Sequence, residues 1–214
     1  MIRLIIARHG NTFNKGETPT RVGARTDLPL VESGKEQARM LGEYLLKFDL
    51  LPSKVYAAPL KRTMETAKGA LEAAGIAADV AVEPLDIFTE IDYGPDENKP
   101  EDEVVTRVGQ KAIDDWNAFA KVPDGWKVDP KEIIANWKNF ADSLVKGGDN
   151  TTTMVVTSNG IARFAPYITD NFDAFAASHD IKIGTGCLAV FHFGATEWVC
   201  DSWNIKPKEE LPRS

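Results

Sequence analysis

Ile2-Arg3-Leu4-Ile5-Ile6-Ala7-Arg8-His9-Gly10 is an apolar run that stops at a basic, glycine-containing turn. A short apolar run bounded in this way predicts a buried strand, here from Met1 to Ala7. The polar, aperiodic stretch from Gly10 to Pro29 reads as a long loop of the kind that compact domains keep for function. Outward from it, strand and helix signals alternate. Ser33 and Glu36 form a capping box that predicts a helix carrying Leu41, Tyr44, Leu45 and Phe48 on one face. Lys54 to Ala58 reads as a strand, Leu60 to Ala74 as a helix closed by Gly75, and Val80 to Pro84 as a strand.

Beyond a polar loop from Glu90 to Pro100, two helices are expected. One runs from Asp102 to Phe119, with Trp116 and Phe119 on its apolar side. The other starts at Pro130 behind Asp129 as N-cap and stops at Gly147-Gly148. Thr152 to Thr157 reads as a strand and Ile161 to Ile168 as a helix. Leu188 to Phe193 and Trp198 to Trp203 form a closing antiparallel pair around Gly194-Ala195-Thr196. This alternation predicts an α/β fold: a three-layer α/β/α sandwich whose central sheet is mostly parallel with an antiparallel edge strand. Residues 1–205 are expected to form a single domain, with a helical insertion over about 95–147 and a loosely ordered tail over 206–214.

With 214 residues, 43% of them hydrophobic, the chain can bury a core without a metal or disulfide staple. Its 25 basic and 32 acidic side chains leave a net charge of −7, which argues against nucleic acid or an anionic membrane as partner. An anionic small molecule remains compatible, because a few arginines in a cleft override the global sign. Cys187 and Cys200 show no metal-ligand spacing and read as free thiols. The first apolar run is too short to span a bilayer and lacks a cleavage site, so a cytoplasmic location is expected. No metal or other cofactor is implied, and the oligomeric state is not legible.

In a parallel sheet, ligands bind outside the carboxyl ends of the strands. Four polar segments fall there: Arg8-His9-Gly10, Pro59 to Arg62, the loop holding Glu90, and Ser158-Asn159-Gly160. Neutral imidazole is nucleophilic near pH 7, guanidinium binds phosphate oxygens bidentately, and glycine lets backbone approach a ligand. By itself, Arg-His-Gly is an ordinary turn after a strand.

The wider pattern resembles the histidine phosphatase superfamily, also called phosphoglycerate mutase-like. Arg8-His9-Gly10-Asn11-Thr12 is similar to its N-terminal signature, in which the histidine becomes phosphorylated. Arg25-Thr26-Asp27-Leu28-Pro29-Leu30 resembles its second stretch, and Pro59-Leu60-Lys61-Arg62 its third. The resemblance implies His9 as nucleophile, Arg8 and Arg62 as phosphate clamps and Glu90 as general acid. Where the family has a second histidine, this chain has Asn159, followed by Arg163 at the family's spacing; Asn159 can donate through its amide but supplies no charge. The family's asparagine phosphate ligand would fall on Lys15, which could serve there as a cation; Asn14, one place early, is the candidate phosphate contact. His179 and His192 are the other histidines, and His192 reads as a structural one.

The implied activity is a phosphomonoesterase acting on a small phosphoester through a phosphohistidine. A phosphoglycerate mutase is the alternative enzyme, disfavoured because Asp92, Asp96 and Glu97 make the segment after Glu90 acidic. A phospholigand-binding protein with weakened turnover is the third reading, resting on Asn159. Specificity is expected to reside in Glu17 to Pro29 and Pro95 to Lys131, with Trp116, Phe119 and Trp126 as aromatics that either line the pocket or pack between helices.

Overall fold

Leu4 and Ile6 point to one side of the first strand and Ile5 and Ala7 to the other, and all four are fully buried. That pattern requires cover on both faces, and the computed structural model, which describes residues 1–148 and 150–211, has it. Six strands form one sheet: β1 (Arg3–Arg8), β2 (Lys54–Ala57), β3 (Val82–Pro84), β4 (Thr152–Thr157), β5 (Leu188–Phe193) and β6 (Trp198–Ile205), in the order β3-β2-β4-β1-β5-β6. β1 pairs in parallel with β4, as does β2 with both β3 and β4. β5 runs against β1 and β6 against β5. The strand running against the rest is therefore β5, one in from the edge, and β6 closes the sheet.

Helices α1 (Glu32–Lys47) and α2 (Lys61–Ala73) cover one face, where Leu41, Leu45, Ala67 and Leu71 pack on Ile5, Ala7, Met154 and Val156. On the other face, α5 (Pro130–Lys146) brings Trp137 and Phe140 against Phe88, Leu4, Ile6 and Val155. Asp129 caps α5 as expected, accepting from the N–H groups of Lys131 and Glu132. Gly75 has φ +74° and closes the α2 turn, its N–H on the Glu72 carbonyl.

Several local expectations need correction. α1 starts one residue early, so Ser33 lies inside the helix and makes no capping bond; its hydroxyl accepts from Asn11 instead. The helix expected from Asp102 to Phe119 is broken into α3 (Glu101–Val108) and α4 (Gln110–Phe119) by Gly109, which adopts φ +84°. Phe119 at the end of α4 is 67% exposed rather than buried. The helix expected after β4 shortens to α6 (Asn159–Ala162), followed by a 3-10 turn over Ala165–Thr169 that contains Pro166. α7 (Phe172–Ser178) was not expected. The tail is not loose through its first half: α8 (Pro207–Glu210) buries Pro207 and takes a hydrogen bond from Lys47 on its last carbonyl, while 212–214 lie outside the described residues. Cys187 and Cys200 are both free.

β1, β2, β3 and β4 all end on the same edge of the sheet. Because β5 is antiparallel, with Ala7 paired to Leu188, the segment leading into it arrives at that edge too.

Candidate active site

His9 follows the last residue of β1 and is fixed by its neighbours. Its N–H donates to the Thr157 carbonyl at the end of β4, while the Arg8 N–H donates to Cys187 ahead of β5. Gly10 then meets the α1 backbone at Gly34 and the Thr66 side chain of α2. A side chain at Gly10 would come within 2.4 Å of the Gly34 carbonyl oxygen, and the Gly10 N–H donates to Thr66 on α2. Glycine there is a packing requirement as well as an opening for ligand.

The His9 ring is tied by Nδ1 to the Gly10 carbonyl at 2.7 Å. A carbonyl only accepts, so Nδ1 carries the proton and Nε2 of the neutral ring holds the lone pair. Burial, then the charges of Arg8 and Arg62, push the imidazole well below its ordinary titration range. The ring is held neutral at neutral pH, with its nucleophilic nitrogen free.

Arg8 donates from Nη1 to the Ile183 carbonyl at 2.8 Å, and its buried Nε has no partner among the described residues. Arg62, in the first turn of α2, is fully buried. Its guanidinium donates to the carbonyls of Thr26 at 2.8 Å and of Val22 and Gly23, each at 3.3 Å. Burial lowers the basicity of both arginines, offset in part by Glu90. Glu90 is 5% exposed; it accepts from the Ile91 N–H at 2.9 Å and from the Gly160 N–H at 3.3 Å. Desolvation raises its carboxyl above the usual range, against the pull of those N–H groups and of Arg62 and Arg8. A buried carboxyl with raised basicity on the same cavity wall as an imidazole nucleophile can serve acid-assisted attack.

Asn159 is the first residue of α6. Its Oδ1 accepts from the Ile183 N–H at 3.0 Å, and its Nδ2 has no partner among the described residues. Arg163, one turn further, is 2% exposed; it donates to the carbonyls of Asn159 and Trp116 and lies 4.0 Å over the Trp116 ring. Burial brings its pKa down to about 10, so it remains a cation at neutral pH.

Arg8, His9, Glu90, Asn159, Arg163 and Asn14 line one cavity of about 1010 Å³. Arg62 lies behind its wall and is not part of the lining. Asn14 is on the exposed rim with Lys15, its backbone and side-chain N–H groups both donating to Glu17. Glu17 to Pro29 contributes Thr18, Pro19, Thr20, Arg21 and Val22, and the helical segment contributes Glu101, Asp102 and Asn117.

The aromatic candidates do not line this cavity. Trp116 and Trp126 are buried edge-on against each other, Trp126 donates to Asp96, and Phe119 faces solvent. His179 stacks on Phe175 and His192 pairs with Asp201, both away from the cavity. The acidic segment after Glu90 is consumed internally. Asp92 takes Arg25 and the Gly94 N–H, Asp96 takes Arg107 and Trp126, and Glu97 takes backbone N–H groups. Its acidity therefore says nothing about the substrate, which removes the sequence argument against a mutase.

Two participants were not among the expected site residues. Arg163 was legible through its helical-turn spacing from Asn159. Ile183 acts through its peptide group alone, which leaves no signal in residue type.

The chain is 26% identical over 214 residues to a 2,3-bisphosphoglycerate-dependent phosphoglycerate mutase of Bifidobacterium longum, covering 99% of this chain and 80% of that relative. Among solved structures, a phosphoserine phosphatase of Entamoeba histolytica in complex with 3-phosphoglyceric acid superposes with a TM-score of 0.75 at 20% identity, covering 96% of this chain and 98% of that one. A mycobacterial glucosyl-3-phosphoglycerate phosphatase does so with the same score and identity, over 94% and 98%. The sequence profile of the histidine phosphatase superfamily (branch 1) matches residues 4–206, and the chain belongs to that superfamily.

Proposed function

We propose that this protein is a phosphomonoesterase that works through a phosphohistidine on His9. The observation that carries the reading is the tie between His9 Nδ1 and the Gly10 carbonyl, which leaves Nε2 unprotonated on the wall that also holds the Glu90 carboxyl. Nε2 attacks phosphorus, the ester P–O bond breaks, and Glu90 delivers its proton to the departing oxygen. Glu90, now a carboxylate, takes a proton from the water that attacks the phosphohistidine; the P–N bond breaks and phosphate leaves. Arg8, the field of Arg62 and the Asn159 amide stabilise the equatorial oxygens during both transfers. No step calls for a metal.

The rim residues Asn14 and Lys15 are exposed, giving water a route to the intermediate. A phosphoglycerate mutase is the second reading, favoured by the Bifidobacterium longum relative of that name, 80% of which the chain covers. It requires a phosphohistidine that outlives its encounters with water.

Incubation with a 32P-labelled phosphoester panel, followed by alkaline denaturation, tests both. Label on the wild type that vanishes in His9→Ala supports covalent catalysis. Release of inorganic phosphate identifies the phosphatase, and label exchanged between glycerate positions identifies the mutase. Neither label nor phosphate release would leave the pocket a binding site only.

A further inference from the structure

The Glu97 carboxylate collects four donors. Oε1 accepts from the N–H groups of Gly23 at 3.0 Å and Arg25 at 3.1 Å and from the Thr26 hydroxyl at 2.7 Å, and Oε2 accepts from the Tyr93 N–H at 3.2 Å. Three of the four belong to the segment whose carbonyls hold Arg62. The Gly23 N–H points at Glu97 while its carbonyl accepts from Arg62, and Thr26 does the same through its hydroxyl and carbonyl.

Gly23 leaves room for this contact. A side chain there would fall 2.3 Å from Glu97 Oε2 and 2.6 Å from the Ile91 carbonyl oxygen. Once Arg62 has made its three bonds to Val22, Gly23 and Thr26, no carboxylate among the described residues is bonded to it, so the position of those carbonyls determines where the charge sits. The segment has no helix or strand to hold it in place.

We infer that Glu97 is a positioning residue for Arg62: its carboxylate gathers residues 23–26 into the curve whose carbonyls aim the guanidinium behind His9. This ties the start of the segment that carries α3 and α4 to the catalytic wall. The consequence for rate rests on the phosphohistidine reading above, whereas the placement of Arg62 does not.

Two effects of removing Glu97 have opposite signs, which makes the inference testable. Arg62 lowers the His9 titration, together with burial and Arg8. Losing the negative charge of Glu97 alone leaves the positive field uncompensated and moves His9 further down. Letting Arg62 drift from its carbonyls moves His9 up.

The experiment is NMR titration of the His9 ring in the unliganded full-length protein, assigned with His9→Ala, for the wild type, Glu97→Ala and Glu97→Gln. Glu97→Ala is expected to raise the His9 titration. Glu97→Gln keeps an oxygen for Gly23, Arg25 and Thr26 and is expected to leave it unchanged or slightly lower. In an Arg62→Met background, Glu97→Ala should produce no further rise. In turnover, Glu97→Ala is expected to lose about 10- to 100-fold in kcat, the scale of a displaced catalytic group, with Glu97→Gln recovering most of it. A downward or absent shift in Glu97→Ala, a rise that persists without Arg62, or a glutamine variant as impaired as alanine would each overturn the inference. A wild type that forms no phosphohistidine would defeat the proposed function instead, and the titration would still decide the role of Glu97.

Discussion

Arg8 and Asn159 are oriented by the same residue: the Ile183 carbonyl accepts from Arg8 Nη1 at 2.8 Å while the Ile183 N–H donates to Asn159 Oδ1 at 3.0 Å. The peptide N–H needs an acceptor, so it fixes which way the Asn159 amide faces. Its oxygen is consumed, and Nδ2 is the end left for ligand. Asn159 is thereby a donor only, which suits an anion.

Replacing Asn159 with histidine keeps this logic in the neutral ring. One ring nitrogen accepts from Ile183 and the other presents N–H to the cavity. Turnover is expected to rise by roughly 10- to 100-fold, less than the worth of a whole preorganised stabiliser, about 10²–10³, because the Asn159 amide already donates. Asn159→Asp satisfies Ile183 equally well but aims a carboxylate at the phosphoryl group, and should lose about 100-fold. Comparison of kcat/KM for the three proteins checks both; a harmful histidine would mean that the site has been rebuilt around asparagine.

Glu90→Gln separates acid catalysis from binding. For alkyl phosphates, whose leaving oxygen needs a proton, kcat is expected to fall by about 10²- to 10⁴-fold. For p-nitrophenyl phosphate, whose leaving group departs unprotonated, the loss in forming phosphohistidine should be far smaller. On the proposed mechanism the active form has His9 neutral and Glu90 protonated. Because His9 is lowered and Glu90 raised, the acid limb of kcat/KM should lie below the ordinary histidine range and the alkaline limb above the ordinary carboxylate range. The alkaline limb should disappear in the glutamine variant. Equal losses with both ester types would remove Glu90 from the acid role.

How far the chain was legible can be seen at particular residues. β1 and β4 announced themselves as short strand-like runs buried on both faces; His9 follows β1 directly and Asn159 follows β4 after Ser158. Arg62 was legible as a residue, but its place behind the wall was not, because that depends on three carbonyls in an aperiodic loop. The break at Gly109 was hidden inside a continuous apolar period that only the positive φ interrupts. Phe119 fitted that period and still faces water, since the helix ends there in a left-handed Ala120 and no element covers it. Asp96 and Glu97 showed as charge in the sequence and act as hydrogen-bond hubs, a distinction set entirely by long-range partners.

Asp96 gives a stability prediction. It is 2% exposed and accepts from Arg107 Nε at 2.6 Å and from Trp126 Nε1 at 2.6 Å, joining the loop after Glu90 to α3 and the buried tryptophan. Asp96→Ala leaves the Trp126 indole N–H without its acceptor and the Arg107 guanidinium with the Asp124 carbonyl alone, and should cost about 3 kcal/mol. Trp126→Phe removes only the neutral bond and should cost less. Urea unfolding followed by tryptophan fluorescence checks the order; an Asp96→Ala protein as stable as wild type would show that solvent replaces the pair.

Stability should also depend on pH through Glu90, with a sign opposite to that of a salt-bridged carboxylate. Its folded carboxyl titrates above the unfolded one because burial disfavours the charge. The stability it contributes is therefore fully present below the unfolded carboxylate range and is lost as pH rises through the folded value, where the chain must ionise a buried group. Glu90→Gln cannot ionise, so the difference in Tm between the variant and the wild type should shift in favour of the variant as pH rises from the unfolded carboxylate range through the folded Glu90 value, and level off above it. The His9 contribution runs the other way in both proteins, lost as pH falls through its lowered folded value, and cancels in the comparison to the extent that Glu90 leaves His9 unperturbed. Thermal melts of the two proteins across that range measure the difference directly. A gap that stays constant would mean that Glu90 titrates in the folded protein as it does in the unfolded chain, and the general acid would then have to be sought elsewhere on the cavity wall.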